Sequence, residues 1–170
     1  NATIVAKHNA RLEFDELRTV DSVEETGEAV KVVVGRLAEV RFIDINTGII
    51  ISSQLVPYGS KLYVNDGQTV EKGTLIAKWD PFNAVIVTEF AGRVEFENVI
   101  EGVTYKVESD EATGLREIII TESKDKGKVP SAHIIGEDGE LVRTYNLPVG
   151  GHVVVEDKQT LKSGDILVKI

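Results

Sequence analysis

An internal repeat constrains the fold of this chain more than any other feature of its sequence. Residues 57–79 read PYGSKLYVNDGQTVEKGTLIAKW, and residues 148–170 read PVGGHVVVEDKQTLKSGDILVKI. The two stretches align without a gap at an offset of 91 residues, from Pro57 to Pro148, and share eight identical positions. The repeat predicts two copies of one structural unit.

Short apolar segments rich in valine, isoleucine and threonine recur along the chain, and turn residues interrupt them every ~8–12 residues, which is typical of a sandwich or barrel. The segment 10–20 could pass for a helix, but the alternation of Ala10, Leu12 and Phe14 has the period of a strand. We therefore predict an all-β chain. The predicted strands span residues 10–20, 30–34, 40–45, 49–51, 62–64, 75–79, 85–88, 93–96, 104–108, 117–121, 132–135, 153–155 and 166–170.

The similarity between the two halves extends beyond the repeat itself. Upstream, residues 42–48 align with 133–139 at the same offset, and each reads as two strands joined by a polar turn that closes on glycine. A weaker similarity links NARLEFDEL at 9–17 with AGRVEFENV at 91–99, each followed by a loop, Thr-Gly and an apolar strand. The second of these segments follows the first copy of the repeat, whereas the chain ends after the second copy.

These similarities predict two sandwich-like domains, one nested in the other. Domain A is continuous over residues 37–124, and domain B combines residues 1–36 with 128–170. Without this completion, both halves of domain B would expose unpaired strand edges. The nesting places both ends of the chain in one small domain, close together, as a domain inserted into a loop of a host protein requires.

Composition disfavours several functional classes. The formal net charge is −9 without a cluster of lysine and arginine, whereas nucleic-acid binders usually carry a basic stripe. No apolar run approaches the ~18–20 residues of a membrane span, and the N-terminus has no signal-like segment. The absence of cysteine removes disulfides, thiolate metal sites and cysteine nucleophiles. The absence of methionine suggests a fragment excised from a longer chain.

Candidate catalytic or metal-binding side chains are few. His8, His133 and His152 fall on separate segments, and no motif supplies a nucleophile or an orienting partner. Ordinary surface or strand positions are therefore favoured, although the assembled domain B would hold all three histidines and leaves a metal site open. Trp79 closes a strand and is expected to anchor a core or a domain interface.

Acidic clusters at residues 21–25 and 108–111 precede Thr-Gly in equivalent loops of the two halves. They lack the ligand spacing and the closing glutamate of a calcium loop, so they indicate solvated connections between strands. The run DINTG at residues 44–48 predicts a β-turn. Read from the residues alone, the chain is a two-unit β module for protein contacts.

The first copy of the repeat resembles the biotinyl/lipoyl hammerhead, with glycine turns at residues 65–67 and 71–73 followed by a strand and a hairpin. Those carriers present a modifiable lysine at the hairpin tip, which corresponds here to Asp-Pro-Phe-Asn at residues 80–83. No lysine stands there, and the second copy stops at Ile170 before any hairpin. Carrier chemistry is therefore excluded, while the fold is expected to be shared.

Five motifs together resemble the large lineage-specific insertion in the trigger loop of the bacterial RNA polymerase β′ subunit. They are VPYG at 56–59, GTLIAKWDP at 73–81, VTEFAG at 87–92, EGVT at 101–104 and DEATGL at 110–115. The resemblance covers essentially the whole chain. It implies a tandem of sandwich–barrel hybrid motifs.

The resemblance also implies a non-catalytic accessory role in transcription elongation, in which the module modulates trigger-loop movement, pausing and transcript cleavage. The polymerase's catalytic aspartates have no counterpart here, so no catalytic, cofactor-binding or metal-binding residue is expected, and Mg and Zn would belong to the parent polymerase. The implied partners are the β and β′ subunits, with elongation factors as further candidates. The segment would lie near downstream DNA without binding it strongly, in the cytoplasm and away from membranes. The alternative is a free-standing hammerhead-type protein-interaction module without a carrier lysine.

Overall fold

A computed structural model describes the whole chain, residues 1–170, and contains strands and turns but no helix. The predicted all-β class is therefore confirmed. The chain divides into two compact units, Asn1–Phe82 and Asn83–Ile170. Each unit has its own pair of antiparallel sheets and its own hydrophobic core.

Nine strands build the first unit. They are β1 (Ala2–Val5), β2 (Ala10–Asp15), β3 (Thr19–Val23), β4 (Ala29–Val33), β5 (Glu39–Ile43), β6 (Ile50–Leu55), β7 (Lys61–Leu62), β8 (Thr69–Val70) and β9 (Leu75–Trp79). One sheet has the order β1-β9-β7-β4-β3, and the other has the order β6-β5-β2-β8.

Strand β2 shows why these residues form a sheet. Its side chains alternate strictly between buried and exposed, with Ala10, Leu12 and Phe14 pointing into the core. This period of two is that of a strand with one solvated face. The helical alternative for the segment 10–20 is therefore wrong, but the single strand predicted there is two strands: β2 ends at Asp15, Glu16 has φ 54°, and β3 begins at Thr19. Trp79 packs against the core of this unit, as a core anchor should.

Nine further strands build the second unit. They are β10 (Val85–Val87), β11 (Gly92–Glu97), β12 (Tyr105–Ser109), β13 (Arg116–Ile120), β14 (Ser131–Ile135), β15 (Leu141–Asn146), β16 (His152–Val153), β17 (Thr160–Leu161) and β18 (Ile166–Lys169). The sheet orders are β10-β18-β16-β13-β12 and β15-β14-β11-β17. Strand for strand, these are the two sheet orders of the first unit, so the repeat does encode two copies of one structure.

The predicted nesting of the two domains is wrong. In the first unit β2 pairs with β5 and β8, and in the second unit β11 pairs with β14 and β17. The predicted domain A (37–124) therefore crosses the boundary between the units, and the predicted domain B (1–36 with 128–170) joins parts of both. The units follow one another along the chain.

The error lies in the direction in which each copy is completed. The similar segments at 9–17 and 91–99 both precede the copy of the repeat that they pair with, through β8 and β17 respectively. Sequence similarity cannot distinguish the two assemblies, because both predict the same local contacts. Consecutive pairing brings together segments that are closer in the chain and so closes shorter loops, which costs less entropy.

The upstream alignment of 42–48 with 133–139 is displaced by one residue. Phe14 faces Val40 across β2 and β5, and the equivalent Phe96 faces Ala132 across β11 and β14. His133 is consequently the structural counterpart of Arg41 and not of Phe42. A shift of one residue reverses which face of a strand a side chain occupies.

The predicted hairpin with its tip at residues 80–83 does not form. Strand β9 pairs with β1 and β7, whereas β10 pairs with β18. Residues 80–83 instead contain the boundary between the two units. In this stretch the Asp80 carboxylate accepts a hydrogen bond from the Phe82 amide at 2.8 Å, and the Phe82 side chain is 87% exposed.

The first and last strands of each unit lie side by side. In the first unit Ala2 pairs with Trp79, and in the second unit the Ile170 amide donates to the Ala84 carbonyl at 2.8 Å. Trp79 and Ala84 stand at the two ends of the short connection between the units. Each end of the chain is therefore hydrogen-bonded to a strand or residue that borders this connection.

Candidate interaction surface

The aspartate that recurs in the repeat is a structural anchor. Asp66 accepts a hydrogen bond from the Phe14 amide at 2.9 Å, and Asp157 accepts one from the Phe96 amide at the same distance. Each bond ties the repeat to the first long strand of its own unit. The identity of this residue in both copies therefore follows from folding, without any catalytic role.

The turn beside this aspartate is also built alike in the two units. Gln68 and Gln159 each accept a hydrogen bond from the backbone three residues earlier, at 2.9 Å. Between them and the aspartate stand Gly67, with φ 82°, and Lys158, with φ 72°. Glycine adopts this left-handed conformation freely, whereas a lysine does not, so the second unit holds a strained residue where the first does not.

The three histidines are not brought together. His8 lies in the first unit, in the exposed turn between β1 and β2, while His133 and His152 lie on β14 and β16 of the second unit. The expectation that all three share one domain is wrong, because the nesting on which it rested does not occur. No group of three or more histidine, cysteine, aspartate or glutamate side chains is placed to hold a metal ion.

His133 takes part in a cross-strand cluster that sequence reasoning missed. Its Nε2 lies 2.5 Å from the Glu97 carboxylate, and its Nδ1 lies 2.8 Å from the Thr144 hydroxyl. These contacts connect β14 with its neighbours β11 and β15. The Glu97–His133–Thr144 cluster can therefore hold three adjacent strands together on a solvated face.

The first unit has an ion pair at the equivalent place. Arg41 on β5 lies 3.1 Å from Asp15 on β2, and it also contacts Glu39 at 3.1 Å and Glu13 at 3.7 Å. The hydrogen bond that Arg41 donates to Asp15 raises the pKa of Arg41, with support from the other two carboxylates. Asp15 and Arg41 occupy the positions of Glu97 and His133, so a correct alignment of the two units would have predicted the Glu97–His133 pair. The alignment at an offset of 91 residues instead matched His133 with Phe42.

The acidic clusters lie where the sequence predicts. The clusters at 21–25 and 108–111 each begin on a paired strand, β3 or β12, and run into the connection to β4 or β13. On β12 Lys106 pairs with Glu108 at 2.8 Å, and this hydrogen bond lowers the pKa of Glu108. Asp110 accepts a hydrogen bond from the Ala112 amide at 2.8 Å. Glu108 and Asp110 are thus engaged in a surface ion pair and a turn contact.

A turn forms at residues 44–48 as predicted, although its backbone hydrogen bond spans five residues and not the four of a β-turn. Asp44 accepts hydrogen bonds from the amides of Thr47 and Asn46, both at 2.8 Å, and these bonds lower the pKa of Asp44. Gly48 completes the turn with φ 73°, and its amide donates to the Asp44 carbonyl at 2.9 Å. This aspartate caps a turn and does not begin a calcium loop.

The best candidates for binding another protein segment are the two exposed edge strands β6 and β15. All six residues of β6 are exposed, including Ile50 at 55% and Leu55 at 68%, and β6 lies at the edge of its sheet. Its counterpart β15 is also an exposed edge, but it carries Arg143, which pairs with Glu89 at 2.7 Å. An exposed apolar edge can accept a further strand, so β6 is the better candidate for contact with another protein segment.

Comparisons with known proteins give consistent relatives. No protein-family model matches the chain. It is 79% identical over 170 residues to the DNA-directed RNA polymerase subunit β′ of Phocaeicola vulgatus, 53% identical over 169 residues to that of Parabacteroides distasonis, and 45% identical over 169 residues to that of Flavobacterium johnsoniae. These alignments cover 99% or more of this chain but 12% of each relative.

No helical segment with the length and hydropathy of a membrane span is present.

The resemblance drawn from the motifs is confirmed, because the identity to the β′ relatives runs through both structural units and not only through the most specific motifs. The chain belongs to a family of segments within bacterial DNA-directed RNA polymerase β′ subunits, and it spans 12% of the length of the subunits that it matches.

Proposed function

We propose that this chain is a non-catalytic accessory insertion of the RNA polymerase β′ subunit that modulates trigger-loop movement during elongation, pausing and transcript cleavage. The observation that carries the proposal is the identity of the whole chain to a segment that makes up 12% of each β′ relative. The place of this segment in the trigger loop rests on the motif resemblance.

The architecture suits an inserted module. Each unit buries a core of its own, so the segment does not need strands from its host to complete either sheet. Ala2 pairs with Trp79 and Ile170 bonds to Ala84, so both ends of the chain meet residues that flank the same short connection.

The mechanism proposed is a population shift. A trigger loop alternates between an open loop and a folded hairpin, and a bulky module tethered within it makes different contacts with the polymerase in the two states. Only such a difference in contact can bias the equilibrium, and about 1.4 kcal/mol changes the ratio of the two states tenfold. The net charge of −9 favours docking on basic protein surfaces over direct contact with DNA.

The contacts of the aspartates and histidines that could have taken part in catalysis support a role without catalysis. Asp66 and Asp157 hold the repeat onto neighbouring strands, while His133 and His152 are engaged by glutamates at 2.5 and 3.1 Å. In this proposal the nucleotidyl transfer, Mg and Zn belong to the rest of the polymerase. The proposed partners are the β and β′ subunits, with elongation factors as further candidates, in the cytoplasm. The free-standing interaction module predicted as the alternative has no observation in its favour.

The test is deletion of residues 1–170 from the host polymerase, with the flanking segments joined. Pause lifetimes and transcript-cleavage rates are then compared with those of the intact enzyme. We expect both to change while nucleotide addition remains possible, because the segment contributes no catalytic group. Unchanged pausing and cleavage would overturn the proposal and leave the segment as a spacer.

A further inference from the structure

The β6 edge, defined as residues 49–55, differs from the other long sheet edges in this chain. The edge strands of five or more residues are β3, β6, β12 and β15. Three of them carry charged side chains, namely Asp21 on β3, Lys106 and Glu108 on β12, and Arg143 on β15. The β6 edge reads IISSQL within the strand and carries no charge.

Charged residues on an edge strand are a common protection against pairing with another chain. The repeat makes this comparison direct, since Arg143 on β15 occupies the position of Ser52 on β6. Arg143 contacts Glu89 at 2.7 Å and lies over the Tyr145 ring at 5.3 Å. Both strands have a bulge at the same place, one residue before this position. The two edge strands therefore have the same register and the same bulge, and they differ in that only β15 carries a charge that opposes pairing.

The free side of β6 offers both parts of a strand-binding site. No strand lies beside it, so the outward backbone groups of the edge are open to a partner. Ile49 and Leu55 are 65% and 68% exposed at its two ends. Main-chain hydrogen bonds provide the affinity of strand addition, and contacts to alternate side chains provide its selectivity.

We propose that the β6 edge is a docking site for an extended, uncharged segment of the β′ subunit outside this chain, which adds to the β6-β5-β2-β8 sheet as a fifth strand. This inference rests on the proposed function, because it takes β′ as the host. The chain spans 12% of its β′ relatives, so most of the host polypeptide lies outside the structure and is covalently tethered to this edge.

Tethering selects this occupant over a free protein or a second copy of the chain. Each cross-strand side-chain pair stabilises a sheet only slightly, so one short strand binds weakly on its own. A segment of the same polypeptide, in contrast, can reach an effective concentration on the order of millimolar. Weak pairing of a tethered strand is also readily reversed, as a contact made in only one state of a moving loop must be.

The experiment uses the assembled host polymerase with a photo-crosslinking amino acid in place of Ser53 on the β6 edge. A second enzyme carries the same probe in place of Val142 on the β15 edge. We expect the first probe to crosslink to β′ peptides outside this segment and the second to crosslink at least about fivefold less, since only β6 lacks a blocking charge. Crosslinks to another protein or to a second polymerase, or equal β′ yields from both probes, would overturn the proposal.

Substitution of Ser52 tests the chemical reason. Ser52→Arg introduces the charge that β15 carries at the same position, where the fold tolerates it, and Ser52→Thr is the uncharged control. We expect Ser52→Arg to lower the Ser53-probe yield about tenfold and Ser52→Thr to leave it unchanged, because a charge on the edge opposes pairing. An equal yield from both variants sinks the idea. Amide exchange of residues 49–55 in the unsubstituted enzyme, compared with residues 140–146, gives a readout independent of mutation: greater protection is expected at the β6 edge, and equal exchange contradicts the proposal.

The outcomes remain separable from those of the proposed function. If deletion of the segment alters pausing but the Ser53 probe finds no β′ partner, the docking edge alone is wrong. If the probe and the Ser52 variants behave as expected while deletion leaves pausing and cleavage unchanged, the docking edge stands and the proposed modulation is wrong.

Discussion

The two units of this chain have the same strand order and the same anchors, yet they differ where they meet solvent and at a few buried positions. Asp66 and Asp157 make the same hydrogen bond at the same distance. The solvated ion pair of the first unit uses Arg41, whereas that of the second uses His133, which is charged only when protonated. The comparison teaches that the anchors define the fold, while the outer faces are free to acquire separate uses.

The largest expected effect tests whether the two cores are independent. Ile76 and Leu167 are equivalent residues, and both are completely buried. We expect Ile76→Ala and Leu167→Ala each to reduce the free energy of unfolding of its own unit by about 2–5 kcal/mol, because a cavity adds to the lost burial. Hydrogen exchange of amides in each unit measures the two effects separately. Equal destabilisation of both units by either variant would contradict the separation of the cores.

A buried pair differs between the units in a compensating way. The first unit has Ser60 and Ala77, both completely buried, where the second unit has Gly151 and Val168; a Cβ added at Gly151 would lie 2.6 Å from Val168 Cγ1. We expect Gly151→Ser to destabilise the second unit by about 1–3 kcal/mol through overpacking.

The matched control for that pair is the double variant Gly151→Ser with Val168→Ala, which recreates the pairing of the first unit. We expect it to be more stable than the sum of the single effects predicts, as measured by denaturant unfolding in a double-mutant cycle. Simple additivity would show that the two positions do not compensate each other.

Removal of the common anchor is expected to act equally on the two units. Asp66→Ala and Asp157→Ala each leave a strand amide without its carboxylate partner, and hydrogen bonds to charged groups are worth about 1.5–3 kcal/mol. Asp66→Asn and Asp157→Asn keep an acceptor oxygen and serve as controls. Chemical denaturation provides the free energies. A clearly unequal loss in the two units would show that the anchor has a different role in each.

The turn next to the anchor predicts effects of opposite sign. Lys158→Gly relieves a left-handed backbone at φ 72°, and after the entropic cost of glycine is subtracted it is expected to stabilise the second unit by about 0.5–1 kcal/mol. The exposed pair between Lys158 and Glu95 at 2.9 Å is lost, but such pairs contribute little. Gly67→Ala should destabilise the first unit by a similar amount. The thermal midpoints decide, and a loss of stability in Lys158→Gly would refute the argument from strain.

The smallest effect concerns acid. The pKa of Glu95 is lowered chiefly by the hydrogen bond from Lys158, and the pKa of Glu108 by that from Lys106. A lowered pKa in the folded state contributes stability above the ordinary value of 4.5, and this contribution is lost as the pH falls through the lowered value. We expect Glu95→Gln and Glu108→Gln to flatten the fall in the second unit's unfolding free energy below pH 4.5. An unchanged slope would show that these pairs do not stabilise the fold.

Much of the local structure could be read from the sequence. The alternation in β2 predicted a strand, the glycine turns predicted where other strands end, and the repeat predicted two copies of one unit. The strand at Leu75–Trp79 has the predicted bounds. The two-residue strands β8 and β17 were not predicted, since so short a segment shows no period.

The sequence by itself determined the all-β class, the repeat and its anchoring aspartates, because these depend on local periodicity and on turn residues. Only the tertiary structure decided which front segment completes which copy, and that β14 is displaced by one residue from the simple alignment. It also decided that residues 80–83 join two units and do not form a hairpin tip. The physical reason is that strand pairing is a long-range choice between alternatives with equivalent local contacts, so the sequence pattern of each strand does not say which partner it takes.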